Sequence, residues 1–370
     1  LVGVFENGFF TPTDRRLKRT FKLAKAPDTL KNGDLVMADI PSSYDFDTNA
    51  VFVQKLGNLS DSFAPTLIAL NNHNLSETFP ESALKEARRF TVPATADKTH
   101  PDKTHIPFVT IDGSDARDFD DAVFAEQDPD PQNKNGWHVM VAIADVAYYV
   151  RPGSALDKEA YRRGNSVYFP DRVVPMLPFE LSAGVCSLNP NEKRYALICD
   201  LKLDKNGDKI SHTFKRALIC SKHRLTYDRV QAMLDRQLPP PPGLEAELAA
   251  LESVYHLLAR RRRERGVLNI DVPERQITLT ATGHVARIAL REQTDSMKLI
   301  EELMILANVA AAEILEEKKA PVMYRVHDRP SLEKIETFNH FLQTLPIPIK
   351  AFRQASDPVA FNALLNRFDN

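Results

Sequence analysis

Short apolar runs separated by turn-forming residues fill the first sixty positions of the chain. The stretch LVGVFENGFFTP places Asn7 and Gly8 between two apolar runs, which is a strong local signal for a tight hairpin turn. A second turn signal, KNGD at 31–34, precedes the apolar run LVMADI. Short strands joined by tight turns are typical of a small β-barrel, which we predict over residues 1–60.

Two helical patterns and a linker follow the predicted barrel. The first pattern covers residues 64–70, and the second, ESALKEARR, begins beside Pro80, where a missing N–H does no harm. Residues 91–107 are rich in proline, threonine and lysine and lack apolar periodicity. We interpret them as a linker, in which His100 is expected to be exposed.

Strands and helices mix from residue 108 onward. Strands are predicted over five segments: FVTID, DAVFAE, HVMVAIADVAYYV, YALICDLKL and KISHTFKRALIC. Helices are predicted from their start and stop signals at 155–163, 227–236, 244–265, 295–318 and after residue 331. This order of elements indicates an α+β fold, in which a small β-barrel is followed by a mixed α/β domain.

The composition is that of an ordinary globular protein. Of the 370 residues, 43% are hydrophobic and 26% are charged, and no apolar run is long enough to span a bilayer. The three cysteines, Cys186, Cys199 and Cys220, have no C-x-x-C spacing, which favours a reducing compartment. We therefore expect a cytoplasmic protein with no signal peptide and no membrane partner, and we take it to be a monomer.

Basic residues are concentrated near the N-terminus, although the net charge of the chain is only −2. Residues 15–25 (RRLKRTFKLAK) carry six basic residues and no acidic one, with Phe21 between them. Such a segment can hold a phosphate backbone while the aromatic ring stacks on a base. A solvated edge of the barrel explains the same residues equally well.

An acidic cluster follows the predicted strand FVTID. The segment TIDGSDARDFDD places five aspartates within twelve residues, and two carboxylates about 4 Å apart at a protein surface repel each other by about 4 kcal/mol. Hard divalent cations such as Mg²⁺ commonly bind a few carboxylates together with substrate phosphates. We therefore favour a metal site for nuclease or phosphatase chemistry. The alternative is an acidic surface loop neutralised by Arg117 and solvent.

Signatures of several other chemistries are absent from the chain. There is no G-x-x-x-x-G-K-[ST], no G-x-G-x-x-G, no H-E-x-x-H and no G-x-S-x-G. The acidic cluster also departs from the EF-hand pattern, because Ala122 follows the aspartates and the required glycine is missing. These absences leave the acidic cluster as the principal candidate for chemistry.

The segment TIDGSDARDFDDAVFA resembles the signature of the ribonuclease II and ribonuclease R family, the RNB-domain 3′-to-5′ exoribonucleases. Further segments resemble the family in the same order: VAIADVAYYVRPGSALDKEAYRRGNSVYFP, VPMLPFELSAGVCSLNPNEKRYAL, HRLTYDRVQAML, KLIEELMILANVAAAEIL and MYRVHDRP. The resemblance implies an OB-type cold-shock domain at 1–60, a helical segment and linker at 61–107, and an RNB catalytic domain at 108–370.

The resemblance also implies a metal site. The family's metal-site aspartates fall on Asp112, Asp118, Asp120 and Asp121. Asp120 matches the aspartate regarded as most critical for cleavage. The implied metal is Mg²⁺, with Mn²⁺ as the alternative.

Three substrate-binding residues are implied in the same way. The tyrosine that packs against the terminal nucleotide falls on Tyr168, a second RNA-contacting tyrosine falls on Tyr227, and a sugar-contacting glutamate falls on Glu301. Without the resemblance, the two tyrosines would be read as ordinary half-buried aromatics. Glu301 lies on a helical stripe with apolar neighbours, where either nucleotide hydroxyls or an internal hydrogen-bond network would be its partners.

Two features depart from the family. Many members carry an aromatic residue just after the G-[AV]-[LI] segment, where this chain has Asn269. The family's Thr-Ser-Pro-x-Arg-[Arg/Lys]-Tyr motif, which contributes an active-site arginine, is not found before residue 370. We therefore expect the chain to be an internal piece of a larger enzyme that also contains an S1 domain.

The implied function is 3′-to-5′ hydrolysis of single-stranded RNA to nucleoside 5′-monophosphates. Contacts with 2′-hydroxyls would select RNA over DNA. Two other functions fit parts of the pattern. One is a non-catalytic RNA-binding protein of the same fold, and the other is a metal-dependent phosphatase for small molecules, which has no need of a basic barrel.

Overall fold

The computed structural model describes residues 1–14, 16–41, 45, 47–268, 274–345 and 358–365. The chain divides into two compact units. Unit A comprises Leu1–Thr91, Val146–Val185 and Glu274–Arg291, and unit B comprises Val92–Asp145, Cys186–Pro273 and Glu292–Asn370. Within the described ranges, no helix has both the length and the apolar character needed to cross a lipid bilayer.

The elements of the described residues are numbered here in chain order. The strands are β1 (Val2–Glu6), β2 (Phe9–Pro12), β3 (Phe21–Ala24), β4 (Asp34–Asp39), β5 (Ala50–Asn58), β6 (Val109–Asp112), β7 (Asp121–Gln127), β8 (Trp137–Ala144), β9 (Val167–Tyr168), β10 (Val173–Val174), β11 (Lys193–Leu203), β12 (Lys209–Cys220), β13 (His223–Thr226), β14 (Glu274–Leu279) and β15 (Val285–Arg291). The helices are α1 (Ala64–Asn72), α2 (Glu81–Ala87), α3 (Val146–Tyr149), α4 (Ala155–Arg163), α5 (Tyr227–Leu234), α6 (Glu245–Glu264), α7 (Asp295–Glu317), α8 (Leu332–Gln343) and α9 (Pro358–Leu365).

Unit A begins with a closed five-stranded barrel. Its strands neighbour one another in the order β1-β2-β3-β5-β4, and β4 pairs with β1 to close it. Asn7 (φ 49°) and Gly8 (φ 85°) form the predicted turn between β1 and β2, because this kind of tight hairpin needs left-handed backbone angles at both positions. The predicted small OB-type barrel is confirmed.

Apolar residues that alternate along the strands fill the barrel. The buried core residues are Phe10, Phe21, Leu23, Val36, Ala38 and Ala50. Phe21 is only 1% exposed, so of the two interpretations of residues 15–25 the one in which this ring stacks on a base is wrong. The neighbouring strand instead exposes Phe9, which is paired with Lys22.

We expect Phe10→Ala to lower the free energy of unfolding of the barrel by about 3–5 kcal/mol, because it removes a buried ring and leaves a cavity. Gly3 packs directly against this ring, where even a Cβ atom would collide with it. The matched control is Phe9→Ala, which changes an exposed ring on the same strand and should cost less than about 1 kcal/mol. The urea dependence of hydrogen exchange in the barrel strands measures both costs, and equal costs would contradict this assignment of the core.

A six-stranded sheet forms the centre of unit B. Its order is β12-β11-β8-β7-β6-β13, and only the pair β6–β13 is parallel. One face of the sheet packs against α5, α6 and α7, with the core centred on Val123, Val141 and Leu303. Because side chains alternate along a strand, Asp112 of β6 and Arg224 of β13 lie on the opposite face from the helix-facing Ile111 and Leu225. The predicted mixed α/β domain is confirmed.

Most of the predicted elements are observed close to their predicted ends. The helix predicted at 155–163 is α4, and the helix predicted at 227–236 ends two residues earlier as α5. Thr226 is the N-cap of α5, because its hydroxyl accepts a hydrogen bond from the backbone N–H of Arg229 at 3.4 Å. Gly266 follows α6 with a φ of 70°, as expected for a helix stop.

Two predictions near Asp145 are wrong. The strand predicted over HVMVAIADVAYYV ends at Ala144, and α3 follows. Asp145 turns the chain there, because its carboxylate is held by Nε2 of His100 at 3.0 Å and by Nε of Arg216 at 2.6 Å. His100 is therefore fully buried rather than exposed, and its ring stacks on Tyr195 with centroids 3.8 Å apart.

Candidate active site

The acidic cluster lies where β6 ends and β7 begins. Asp112 is the last residue of β6 and Asp121 is the first of β7, with Asp118 and Asp120 in the loop between them. The charges of the other three carboxylates all raise the pKa of Asp112. The four predicted aspartates are thus close enough for the other three charges to act on Asp112.

Burial and the repulsion between neighbouring carboxylates raise the pKa values of Asp112, Asp120 and Asp121. Burial, followed by the charges of the neighbouring carboxylates, raises the pKa of Asp112 to about 7. Burial and the charge of Asp120 raise the pKa of Asp121 to about 6. Asp120 is exposed at one side of the loop, yet partial loss of water and the charge of Asp118 raise its pKa as well. Groups of this kind gain most from a cation that offsets their repulsion.

The donor set fits a hard divalent cation. All four groups offer carboxylate oxygens, and Oδ2 of Asp112 is buried without a hydrogen-bond partner, although such atoms normally have one. In the part of the chain that the structure describes, however, no three acidic, histidine or cysteine side chains converge closely enough to enclose a metal ion. The aspartates are therefore neighbours whose oxygens do not form a closed coordination shell.

Backbone hydrogen bonds fix the end of the acidic loop. The N–H of Phe119 donates to Oγ of Ser187 at 3.0 Å, and its carbonyl accepts from the N–H of Leu188 at 2.8 Å. The carbonyl of Asp120 accepts from the N–H of Ala144 at 2.9 Å. Asp120 is therefore held between a buried aromatic residue and the first residue of β7.

A positive charge that the sequence analysis missed lies beside the cluster. Arg224 of β13 lowers the pKa of Asp112 by its charge, whereas Arg117, the predicted neutralising residue, is exposed. The segment HRLT contains this arginine, but the pairing of β13 with β6 is needed to show where it lies. The sequence would have indicated the position of Arg224 only if residues 223–226 had been recognised as a strand of the same sheet.

Tyr227 begins α5 directly after β13. The last residue of β13, Thr226, is in register with Asp112, so Tyr227 follows one of the residues that neighbour the acidic cluster. Its ring is partly buried and packs against the helix-side core of unit B. This packing is that of an ordinary half-buried aromatic residue, which is how Tyr227 would be interpreted without the family resemblance.

Glu301 lies on α7 at the edge of a cavity of about 490 Å³. Its carboxylate accepts hydrogen bonds from Nη1 of Arg262 at 2.9 Å and from Nε2 of Gln293 at 3.1 Å. The same arginine nitrogen binds the buried Glu302 at 2.7 Å. Arg262, from the basic run in α6, is thus neutralised by two glutamates and orients Glu301.

Tyr168 lies in unit A, whereas the aspartates, Tyr227 and Glu301 lie in unit B. It sits in the short hairpin of β9 and β10, opposite Val173, and 69% of its side chain is exposed. Asn269, where many family members have an aromatic residue, lies outside the described residues.

Comparison with known proteins identifies similar sequences and folds. Residues 101–370 match the sequence model of the RNB domain. Ribonuclease R of Vibrio parahaemolyticus is 41% identical over 302 residues, which cover 79% of this chain and 35% of that protein. Ribonuclease R of Escherichia coli (strain K12) is 38% identical over 352 residues, which cover 92% of this chain and 43% of that protein.

A solved structure agrees with these sequence matches. Mycoplasma genitalium RNase R, solved in complex with double-stranded RNA, matches with a TM-score of 0.90 and 26% identity, over 100% of this chain and 67% of that one. Compared with the ribonuclease R sequences of Vibrio parahaemolyticus and Escherichia coli, the chain spans less than half of the length of each relative.

Proposed function

Because the chain belongs to the RNB-domain family, we propose that it contains the centre of a 3′-to-5′ exoribonuclease that degrades single-stranded RNA to nucleoside 5′-monophosphates. The observation that carries this proposal is the group of four carboxylates where β6 ends and β7 begins. The pKa values of Asp112, Asp120 and Asp121 are raised, and Oδ2 of Asp112 is buried without a hydrogen-bond partner. The domain boundaries 1–60, 61–107 and 108–370, the cytoplasmic location and the monomeric state belong to the same proposal.

We propose that the aspartates hold a divalent cation. Asp112, Asp118, Asp120 and Asp121 are the candidate ligands, and Mg²⁺ is the proposed ion, with Mn²⁺ as the alternative. When bound, such an ion supplies Lewis-acid stabilisation of negative charge on the phosphate. The unpartnered Oδ2 of Asp112 supports this assignment, since a buried acceptor gains from a ligand.

Asp120 is the proposed general base. Its carboxylate is the exposed one of the four, and its raised pKa brings it closer to the operating pH, which suits proton transfer. A carboxylate oxygen of Asp120 takes one proton from the attacking water, and the water oxygen bonds to the phosphorus. The P–O3′ bond breaks, and the O3′ of the shortened RNA takes up a proton. The terminal nucleotide leaves as its 5′-monophosphate.

The remaining predicted residues would bind RNA. Tyr168 offers an exposed ring for stacking on a terminal base, and Tyr227 is a second aromatic contact near the acidic cluster. Glu301 is held by Arg262 in an orientation that suits an acceptor for a ribose hydroxyl. The basic residues of the barrel would guide the phosphate backbone.

Glu301→Gln is expected to lower kcat/KM on RNA by about tenfold, because it weakens a charge-assisted hydrogen bond to the 2′-hydroxyl. The value on DNA of the same sequence should change by less than about twofold, since DNA lacks that hydroxyl. Steady-state kinetics on both oligonucleotides measure the ratio. Glu317→Gln, an exposed glutamate on the same helix, is the matched control. Equal losses on RNA and DNA would contradict a sugar contact.

The proposed function is tested by a time course on 5′-labelled single-stranded RNA with Mg²⁺ and, in parallel, with EDTA. Shortening to a small 5′-labelled end product only in the presence of Mg²⁺ is the expected result. The second candidate is a non-catalytic RNA-binding protein, favoured by the lack of three converging ligands within the described residues. Intact RNA that is retarded on a native gel would identify that candidate, and hydrolysis of nucleotide monophosphates alone would identify a phosphatase.

A further inference from the structure

Arg224 contacts the acidic loop from the neighbouring strand. In the parallel pairing of β13 with β6, Arg224 is in register with Thr110, two residues before Asp112. Paired residues of parallel strands point to the same face of a sheet, as do residues two apart on one strand. The Arg224 side chain therefore emerges on the face that bears Asp112.

A single nitrogen of Arg224 binds several backbone carbonyls at the start of the loop between β6 and β7. Its Nη2 donates to the backbone carbonyls of Gly113 at 3.4 Å, Ser114 at 3.0 Å and Ala116 at 3.3 Å. These carbonyls belong to the turn that leads from Asp112 towards Asp118. The guanidinium thus fixes a stretch of backbone that forms no strand or helix of its own.

The same guanidinium also contacts the end of the loop. Its central carbon lies 5.0 Å from the centre of the Phe119 ring, a cation–π distance. Phe119 is buried and anchored through both backbone polar groups, and it precedes Asp120 directly. Arg224 therefore connects the backbone after Asp112 with the ring between Asp118 and Asp120.

We propose that Arg224 is a positioning residue, whose guanidinium holds residues 113–119 and thereby keeps the loop that carries Asp118 and Asp120 beside Asp112. This inference rests on the proposed function and adds to it a residue that touches neither the substrate nor the cation. Lysine cannot replace the guanidinium, because a single ammonium nitrogen cannot donate to the loop carbonyls and at the same time lay a planar cationic face on the Phe119 ring.

Arg224→Lys tests the proposal, because it keeps the charge and removes the planar fork. Hydrogen exchange in peptides covering residues 113–119 is expected to be at least about tenfold faster than in the wild type, while the melting temperature stays within about 2 °C. The dissociation constant for Mn²⁺, followed by electron paramagnetic resonance, should rise about 10-fold or more. On RNA, kcat should fall about 10-fold or more with KM changed less than about twofold. Arg229→Lys, an exposed arginine on α5, is the control.

Unchanged loop exchange and unchanged Mn²⁺ affinity in Arg224→Lys would overturn the proposal, even if activity fell. Should this variant unfold, Phe119→Leu provides the second test, because it removes the stacked ring and retains an apolar side chain. Faster exchange at 113–119 in that variant supports the proposal, and unchanged exchange overturns it. A wild-type chain that does not cleave RNA would refute the proposed function alone, since loop exchange and Mn²⁺ binding still decide the role of Arg224.

Discussion

Asp120→Asn is expected to slow the shortening of single-stranded RNA by about 10³-fold, because the amide cannot accept the proton of the attacking water. The substitution keeps the size of the side chain and leaves its backbone carbonyl free to accept from the N–H of Ala144. The loop should therefore keep its structure. RNA affinity, measured by fluorescence anisotropy at fixed salt, should change by less than about threefold, since the phosphate contacts that dominate affinity remain.

Asp115→Asn is the matched control for this effect. Asp115 is an exposed aspartate of the same loop and does not belong to the proposed ligand set. Its substitution by asparagine removes the same charge as Asp120→Asn does. Its rate should stay within about threefold of the wild type. A similar loss of rate in both variants would show that the loop acts through its overall charge, and full activity in Asp120→Asn would exclude Asp120 as the base.

The metal-free chain is expected to lose stability as the pH rises from about 4 to about 7. The folded-state pKa of Asp112 is raised from 3.8 to about 7, so the folded state binds a proton more tightly than the unfolded state does. The stability from that proton is full below the ordinary pKa and is lost as the pH rises through the folded value. A shift of this size corresponds to about 4 kcal/mol, and because Asp112 is only partly buried, solvent screening reduces the expected loss to about 2 kcal/mol.

Urea unfolding in EDTA at several pH values measures this loss. Asp112→Asn, which cannot ionise at this position, should make the dependence between about pH 4 and pH 7 shallower, leaving the smaller part that comes from the raised pKa of Asp121. Adding Mg²⁺ to the wild type at about pH 8 should restore the lost stability, because the ion binds the folded state selectively. A wild-type curve parallel to that of Asp112→Asn, with no response to Mg²⁺, would contradict a repulsive carboxylate site.

Local patterns were sufficient to predict most of the barrel and the helices. Asn7 and Gly8 specify their turn because few other residue pairs tolerate left-handed angles at both positions. The segment KISHTFKRALIC, which follows the turn residues Asn206 and Gly207, was predicted as a strand and forms β12 with the same ends. The basic neighbours of Phe21 left its place open between an RNA-stacking surface and a barrel edge, whereas strand alternation buries its ring and exposes Lys22 beside it.

Long-range pairing was beyond the reach of local patterns. His100 lies in a segment with no apolar periodicity, and it is buried because Asp145 and Tyr195, both distant in sequence, provide an ion-pair partner and a stacking partner. The short strand β13 and the hairpin of β14 and β15 were not predicted. Arg224 was missed for the same reason, because its relation to Asp112 depends on the parallel pairing of β13 with β6.

The most direct test of the central claim is the identity of the first product released from single-stranded RNA in water enriched with ¹⁸O. We expect the 3′-terminal nucleotide to appear first, as a 5′-monophosphate with one ¹⁸O atom in its phosphate, and Asp120→Asn to release it about 10³-fold more slowly. Mass spectrometry resolves this product from its alternatives. Release of a cyclic phosphate or a nucleoside 3′-monophosphate, or of ¹⁸O-free product, would contradict hydrolysis of the terminal P–O3′ bond at this site.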